Sequence, residues 1–282
     1  MAVPMCAAPA RALTVRARVK WARMASVAPP DGVGVFDADA DVSVRRSLGL
    51  LLSTGVRGAA AADRLCGACI DLLHVDAAAI SVIDEGMSRG TIGASHENAR
   101  QLDELQFTLG EGPCLEAART VQAVMIADLD DLEGQRWPTL AEAARNAGIR
   151  AIFAVPVRVG SIGLGALDLF RFTPGPLSVW QVAAAKLVAE AASLAVLDLL
   201  AACDESDEGE ERDAGPTGLR AWEQLTSWAR VEVYQATGVI MAQLEISAAE
   251  ALVRLRGYAF AHELGSTEAA RLILSRQLRL EP

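Results

Sequence analysis

Seven acids and a single arginine fall between Cys203 and Asp213, a net charge of −6 in one short stretch. A run of that kind repels itself and has nothing to bury, so it divides the chain rather than joining a core. Gly209, Gly215 and Gly218 add backbone freedom beside it. Strand-like segments recur before this stretch, and none follows it. The expected organisation is a disordered N-terminal segment at 1–47, a mixed domain at 48–202, an acidic linker at 203–218 and a helical unit at 219–282.

With 52% apolar and 22% charged residues, the chain has the material for packed cores, which excludes wholesale disorder. Its formal net charge of −10 excludes holding nucleic acid by bulk positive charge. The most apolar stretch, about Ala183 to Ala202, carries Lys186, Glu190 and Asp198, so no membrane span is expected. Residues 1–30 mix Ala, Pro and Arg, and no apolar run follows their basic residues as a signal peptide requires. Met24 is an alternative start. The cytoplasm is the expected compartment, and five cysteines at irregular spacing do not make a disulfide framework there. Asp37-Ala38-Asp39-Ala40-Asp41 lacks the Gly and Glu of a calcium loop, with Val42 and Leu48 in those places, and reads as solvated acids.

Between Leu48 and Leu73 the pattern is helical, with small residues at Ala59–Ala62. Ala77 to Ile83 and Gly90 to Ser95 read as paired strands turning near Glu85-Gly86. His96 to Leu105 is a short helix. The loop from Leu109 to Cys114 leads into a helix at Leu115–Arg119. Val124 to Ala127 is a third strand, and Trp137-Pro138 opens a helix that stops at Gly148. Ile152–Val159 and Gly163–Phe172 form a hairpin about Gly160-Ser161. Ser178 caps a long helix to about Ala202. This order predicts an α+β fold, an antiparallel sheet flanked by helices.

Past the linker, Trp222 to Leu244 is helical, with Ala229, Val233, Ala236, Ile240 and Leu244 on one stripe. Ser247 and Glu250 form a capping box for a second helix burying Leu252, Leu255 and Ala259. Gly265-Ser266-Thr267 ends it and caps a third, which aligns Ala269, Leu272, Ile273 and Arg276. A three-helix unit is expected.

Two resemblances follow from particular residues. Arg230 to Met241, with its Ala236-x-Gly238-x-x-Met241 core, and Ala251-Leu252 with Leu255-Arg256-Gly257-Tyr258-Ala259 resemble the ANTAR domain, the RNA-binding module of bacterial transcription antiterminators. Leu109-Gly110-Glu111-Gly112-Pro113-Cys114 and the region about it are similar to a GAF domain of the kind fused to ANTAR in actinobacteria. Together they imply a signal-responsive regulator that binds tandem hairpins in nascent RNA and prevents a terminator from forming. Family members often carry Lys where Thr237 stands. Residues 219–282 hold seven Arg and seven acids, so affinity for RNA rests on placement rather than net charge.

The candidate RNA contacts are Arg230, Gln235, Thr237, Arg254 and Arg256, since arginine both stacks on splayed bases and bridges phosphates. Gly238 inside a helix costs about 1 kcal/mol relative to Ala, and close helix packing is the expected reason. Cys66 and Cys69 share one helix face, and with Cys114 they are candidates for redox or ligand sensing. Their plainer role is as small buried residues. Cys114 near a helix start is the best redox candidate, because the dipole there lowers a thiol pKa. His74, His96 and His262 show no ligand spacing, so neither metal nor cofactor is assigned. Leu187, Leu194 and Leu197 form one apolar face of the long helix and Val188, Ala195 and Leu199 another; one must cover the sheet, and the other is expected to pair with a second copy. The chain is read as a non-enzyme. The alternatives are a GAF-type thiol enzyme reducing free methionine-R-sulfoxide, and a ligand-sensing protein-interaction module. The lack of a basic recognition helix argues against DNA.

Overall fold

In the computed structural model, residues 46–50, 53, 55–84, 87–132, 136–207 and 230–281 are described. The N-terminal segment with Met24 and the Asp37–Asp41 acids, the Glu85-Gly86 turn, the linker from 208 and the Trp222–Ala229 part of the expected helix lie outside them.

Five strands form one antiparallel sheet: β1 (Ala77–Asp84), β2 (Met87–Ala94), β3 (Val124–Ile126), β4 (Ala151–Val159) and β5 (Ile162–Arg171). Their order across the sheet is β2-β1-β5-β4-β3, so β5 is central although last in sequence. Both predicted hairpins form, within a residue or three of the expected ends.

Strand alternation sends side chains to two unlike faces. Ile80, Val82, Phe153, Val155, Leu167 and Leu169 pack under α1 (Gly58–Leu73) and α5 (Val179–Asp207). Helix α1 buries Ala61, Ala62, Leu65, Cys66, Cys69 and Leu73, the three-and-four spacing of an amphipathic helix. It lies so close to β2 that a Cβ on Gly93 would sit 2.5 Å from the Ala62 carbonyl carbon. The small residues of Ala59–Ala62 are there for that approach.

On the other face Ala79, Ile152, Ala154 and Phe170 pack with α2 (Glu97–Leu109), α3 (Pro113–Thr120) and α4 (Pro138–Asn146). His96 caps α2 by accepting from the Ala99 amide, 3.1 Å. That helix runs four residues past the expected Leu105, to a left-handed stop at Gly110. Helix α5 starts at the Ser178 cap as expected and extends five residues into the acidic stretch. A helix already fixed by packing grows past the point where composition alone would end it.

The C-terminal helices are α6 (Val231–Leu244), α7 (Ala248–Ala261) and α8 (Ser266–Leu274). Val233, Ala236, Ile240, Leu252, Leu255 and Ile273 close their core. Ser247 caps α7 by accepting from the Glu250 amide. Phe107, from α2, belongs to this same core. Among the described residues, no single helix is long and apolar enough to cross a membrane.

Candidate functional site

The loop after α2 is shaped by specific contacts. Gly110 has φ 69°, the left-handed turn that closes α2, and its N–H reaches the Gln106 and Phe107 carbonyls. The Glu111 carboxylate accepts from the amides of Thr139 (3.1 Å) and Leu140 (2.9 Å), capping α4. Gly112 has φ 143°, and a Cβ there would meet the Gln106 side-chain oxygen at 2.5 Å. Pro113 starts α3 without wasting an amide. The Cys114 amide then donates to Gln106 Oε1, 3.0 Å.

Gln106 leads from this loop into a buried polar cluster. Its Nε2 donates to Asp168 Oδ2 at 2.7 Å, and beyond the Cys114 thiol, Asp168 Oδ1 has no hydrogen-bond donor among the described residues. Asp168 lies in central strand β5, pointing to the α2–α4 face. Next to it, Asp103 of α2 accepts from the Thr91 hydroxyl. One ligand atom each of Asp103, Cys114 and Asp168 lies within 4.8 Å of the other two, and all three residues are buried. Burial pushes the Asp168 carboxyl well above the ordinary carboxylate range, and the neighbouring Asp103 raises it further. The sequence signal was an acid inside the apolar run Ala166–Phe170, and it was missed.

Arg230 ties this cluster to the C-terminal helices. It is 4% exposed, with Nη2 at 3.0 Å from Glu104 and 3.6 Å from Asp103. Nη2 and Nε make no aligned hydrogen bond, so the contact with Glu104 is an ion pair by distance only. The Arg230 and Arg256 guanidinium carbons stand 4.0 and 4.5 Å from the Phe107 ring centre. Burial lowers the Arg256 pKa. The Ser266 amide and hydroxyl both donate to the Thr108 hydroxyl, at 3.2 and 3.0 Å. Those of Thr267 donate to Glu104 at 3.3 and 3.1 Å. The Arg230 amide donates to the Arg89 carbonyl, and the Tyr234 hydroxyl to that of Ser88.

The five candidate RNA contacts therefore separate. Arg230 and Arg256 are held against α2. Thr237 is buried, its hydroxyl donating to the Val233 carbonyl in its own helix; it is a core residue, which explains a small residue at that place. Gln235 is exposed. Arg254 is half-exposed, 3.5 Å from Glu250 and donating to the Glu281 carbonyl. Gly238 is exposed, and a Cβ there would have nothing within 4 Å among the described residues, so packing among them does not account for it. Gly257 of α7 is the same, between exposed Val253 and Phe260.

The cysteines separate too. Cys66 and Cys69 do share a face of α1, but the sheet stands between them and Cys114, so the three thiols cannot meet on one ion. All three are free and buried. Burial pushes Cys69 up to about 12 and Cys66 higher than its ordinary value as well. Cys114 is raised by burial first, then by Asp168 and Asp103, against the expected lowering at a helix start. His74 ends α1, His96 starts α2, and His262 stacks on Tyr258.

The sequence of residues 59–197 matches the GAF domain family. This part of the chain is a GAF domain. Such domains are ligand-sensing modules, and the match runs from α1 into α5, spanning the whole sheet and the buried cluster. Solved structures similar to the chain include the GAF domain of a phosphoenolpyruvate-protein phosphotransferase from Coxiella burnetii, at 15% identity and TM-score 0.48, covering 61% of this chain and 99% of that one. Another is its counterpart from Acinetobacter, at 14% identity and TM-score 0.45, covering 59% and 97%. Neither is similar enough to bear on what this chain does. No curated protein matches it in sequence.

Proposed function

We propose that this chain is a signal-responsive, non-enzymatic regulator whose GAF domain governs an ANTAR-like unit that binds tandem hairpins in nascent RNA and prevents transcription termination. The observation that carries the reading is the attachment of α6–α8 to α2 through Arg230 and Arg256, two of the residues expected to touch RNA. In the docked arrangement they are withheld, while Gln235, Gly238 and Phe260 face outward. An exposed glycine lets a nucleic-acid backbone come close, and an exposed aromatic offers a stacking surface for an unpaired base. A signal received by the GAF domain, a small molecule or a redox change, releases the helices and completes the RNA face.

Action as a dimer fits two hairpins. Leu194 and Leu197 on α5 are 52% and 40% exposed beside half-buried Leu187, a stripe for a second copy. The cytoplasm is the compartment in which nascent RNA would be met. A methionine-sulfoxide reductase needs an accessible thiolate, and the buried, raised thiols of Cys66, Cys69 and Cys114 do not favour that alternative. Thioredoxin-coupled turnover of free methionine-R-sulfoxide would revive it.

The test is binding of the full chain to RNA with two adjacent hairpins, to a single hairpin and to duplex DNA, at physiological salt. The variant Glu104→Gln/Thr108→Val removes the carboxylate charge facing Arg230 and Thr267 and the hydroxyl that Ser266 bonds, and leaves the candidate RNA residues intact. It is expected to bind tandem hairpins about 10-fold more tightly than the parent, a coupling of ordinary size. Arg254→Ala with Gln235→Ala is expected to weaken that binding. If neither the parent nor the undocked variant prefers tandem hairpins, the reading is wrong, and capture of a protein by the undocked helices would replace it.

A further inference from the structure

The buried cluster under α2 has a composition that apolar packing does not explain. Two carboxylates and a thiol converge from three elements: Asp103 from α2, Cys114 from the first turn of α3 and Asp168 from the centre of β5. Each carboxylate has one oxygen steadied by a buried donor, Thr91 for Asp103 and Gln106 for Asp168. Beyond the Cys114 thiol, the other oxygen of Asp168, a residue 0% exposed, has no hydrogen-bond donor among the described residues. A buried carboxylate oxygen served only by a weak thiol donor is poorly satisfied, and a cation bound in place of the thiol proton is a stronger partner.

From this geometry we infer that Asp103, Cys114 and Asp168 form a binding site for a thiolate-accepting divalent cation of the zinc class. Three ligand atoms within 4.8 Å of one another need only a modest contraction to meet metal bonds of about 2.0–2.3 Å. Thiolate together with two carboxylates favours zinc over calcium or magnesium, which prefer oxygen alone. Thr91 and Gln106 then act as the outer partners that fix the ligands' orientation. Three protein ligands leave a fourth position for water.

The exchange balances. The cation replaces the proton of the Cys114 thiol, which is released to solvent, and no electrons are transferred.

The site also bears on the attachment of the C-terminal helices, whatever those helices bind. Arg230 Nη2 is 3.6 Å from Asp103, so a dication on Asp103 and the guanidinium repel each other across one carboxylate. Occupancy loosens the Arg230 contact, and loss of Arg230 tightens cation binding by the same factor.

Cobalt(II) is the probe, titrated into the reduced full-length chain with absorbance recording both the ligand-field bands and the thiolate-to-metal band; zinc is then added in competition. The expected result is one equivalent bound with a thiolate band. Zinc should displace it. Cys114→Ser should abolish the thiolate band, and Asp168→Asn should weaken affinity by about 100-fold. Cys66→Ala/Cys69→Ala should change neither, and Arg230→Gln should bind about 10-fold more tightly. Near-ultraviolet circular dichroism verifies that each variant remains folded. A cobalt spectrum without a thiolate band, or equal affinity in the parent and a folded Asp168→Asn, overturns the site. Unchanged affinity in Arg230→Gln overturns its link to the helices. None of these readouts involves RNA, so they stand or fall apart from the antitermination reading.

Discussion

The two faces of the sheet hold cysteines in opposite circumstances. Under α1 and α5, Cys66 and Cys69 are surrounded by Ala, Leu, Val and Phe and serve as small apolar side chains. Under α2, Cys114 shares a polar pocket with Asp103, Gln106 and Asp168. The first face is apolar packing in which the Trp180 indole N–H is also left without a partner among the described residues, while the second brings two carboxylates, a thiol and a guanidinium together. That difference in composition sets what substitutions should do.

The largest effect is expected on the apolar face. Phe153→Ala should cost about 4 kcal/mol in urea unfolding, the usual loss for a fully buried aromatic. A cost below 1 kcal/mol would mean that this face is not the stabilising one. Gly93→Ala should cost about 2 kcal/mol, because its new Cβ meets the Ala62 backbone at 2.5 Å and neither element can yield cheaply. The cysteines sharpen the contrast directly. Cys66→Ser buries a hydroxyl among apolar groups and should cost roughly 2 kcal/mol, whereas Cys114→Ser keeps a polar neighbour and should cost about 0.5 kcal/mol or less. Equal losses would erase the distinction between the faces.

One substitution should give a gain. Asp168→Asn removes a buried carboxyl whose folded pKa is raised. A raised carboxyl favours folding while protonated, so its contribution is fully present below the unfolded value of about 3.9 and is lost as pH rises through the folded value. The variant should therefore be more stable than the parent by about 1 kcal/mol at pH 7 and no more stable near pH 4. Parallel stability curves across that interval would contradict the assignment.

Much of the fold was legible because it rests on local signals. Alternation marked the strands, Gly160-Ser161 the hairpin, Ser178 and Ser247 the helix starts, and Gly110 with Pro113 the loop between α2 and α3. The site was less legible for a physical reason: its parts meet only through sheet order. β5 becomes the central strand by pairing with both β1 and β4, and that carries Asp168 under α2, 65 residues from Asp103 in sequence. Asp168 itself broke the apolar rhythm of its strand and was the available clue. Arginines invited an RNA reading, yet nothing in their spacing revealed that Arg230 and Arg256 would stand over one phenylalanine. Thr237 and Gly238 were misjudged in opposite directions, since a stripe drawn by periodicity does not say which neighbour covers it.

Gln106 and Phe107 are consecutive in sequence, and on a helix consecutive residues point about 100° apart. One belongs to the pocket and the other to the core of the C-terminal helices. News of a change in the pocket therefore does not have to travel the long acidic stretch between the two parts of the chain. It has only to turn one helix about its own axis, and a side chain about 5 Å from that axis moves nearly 2 Å for each 20° of turn. On the proposed reading, the message crosses the thickness of a single helix.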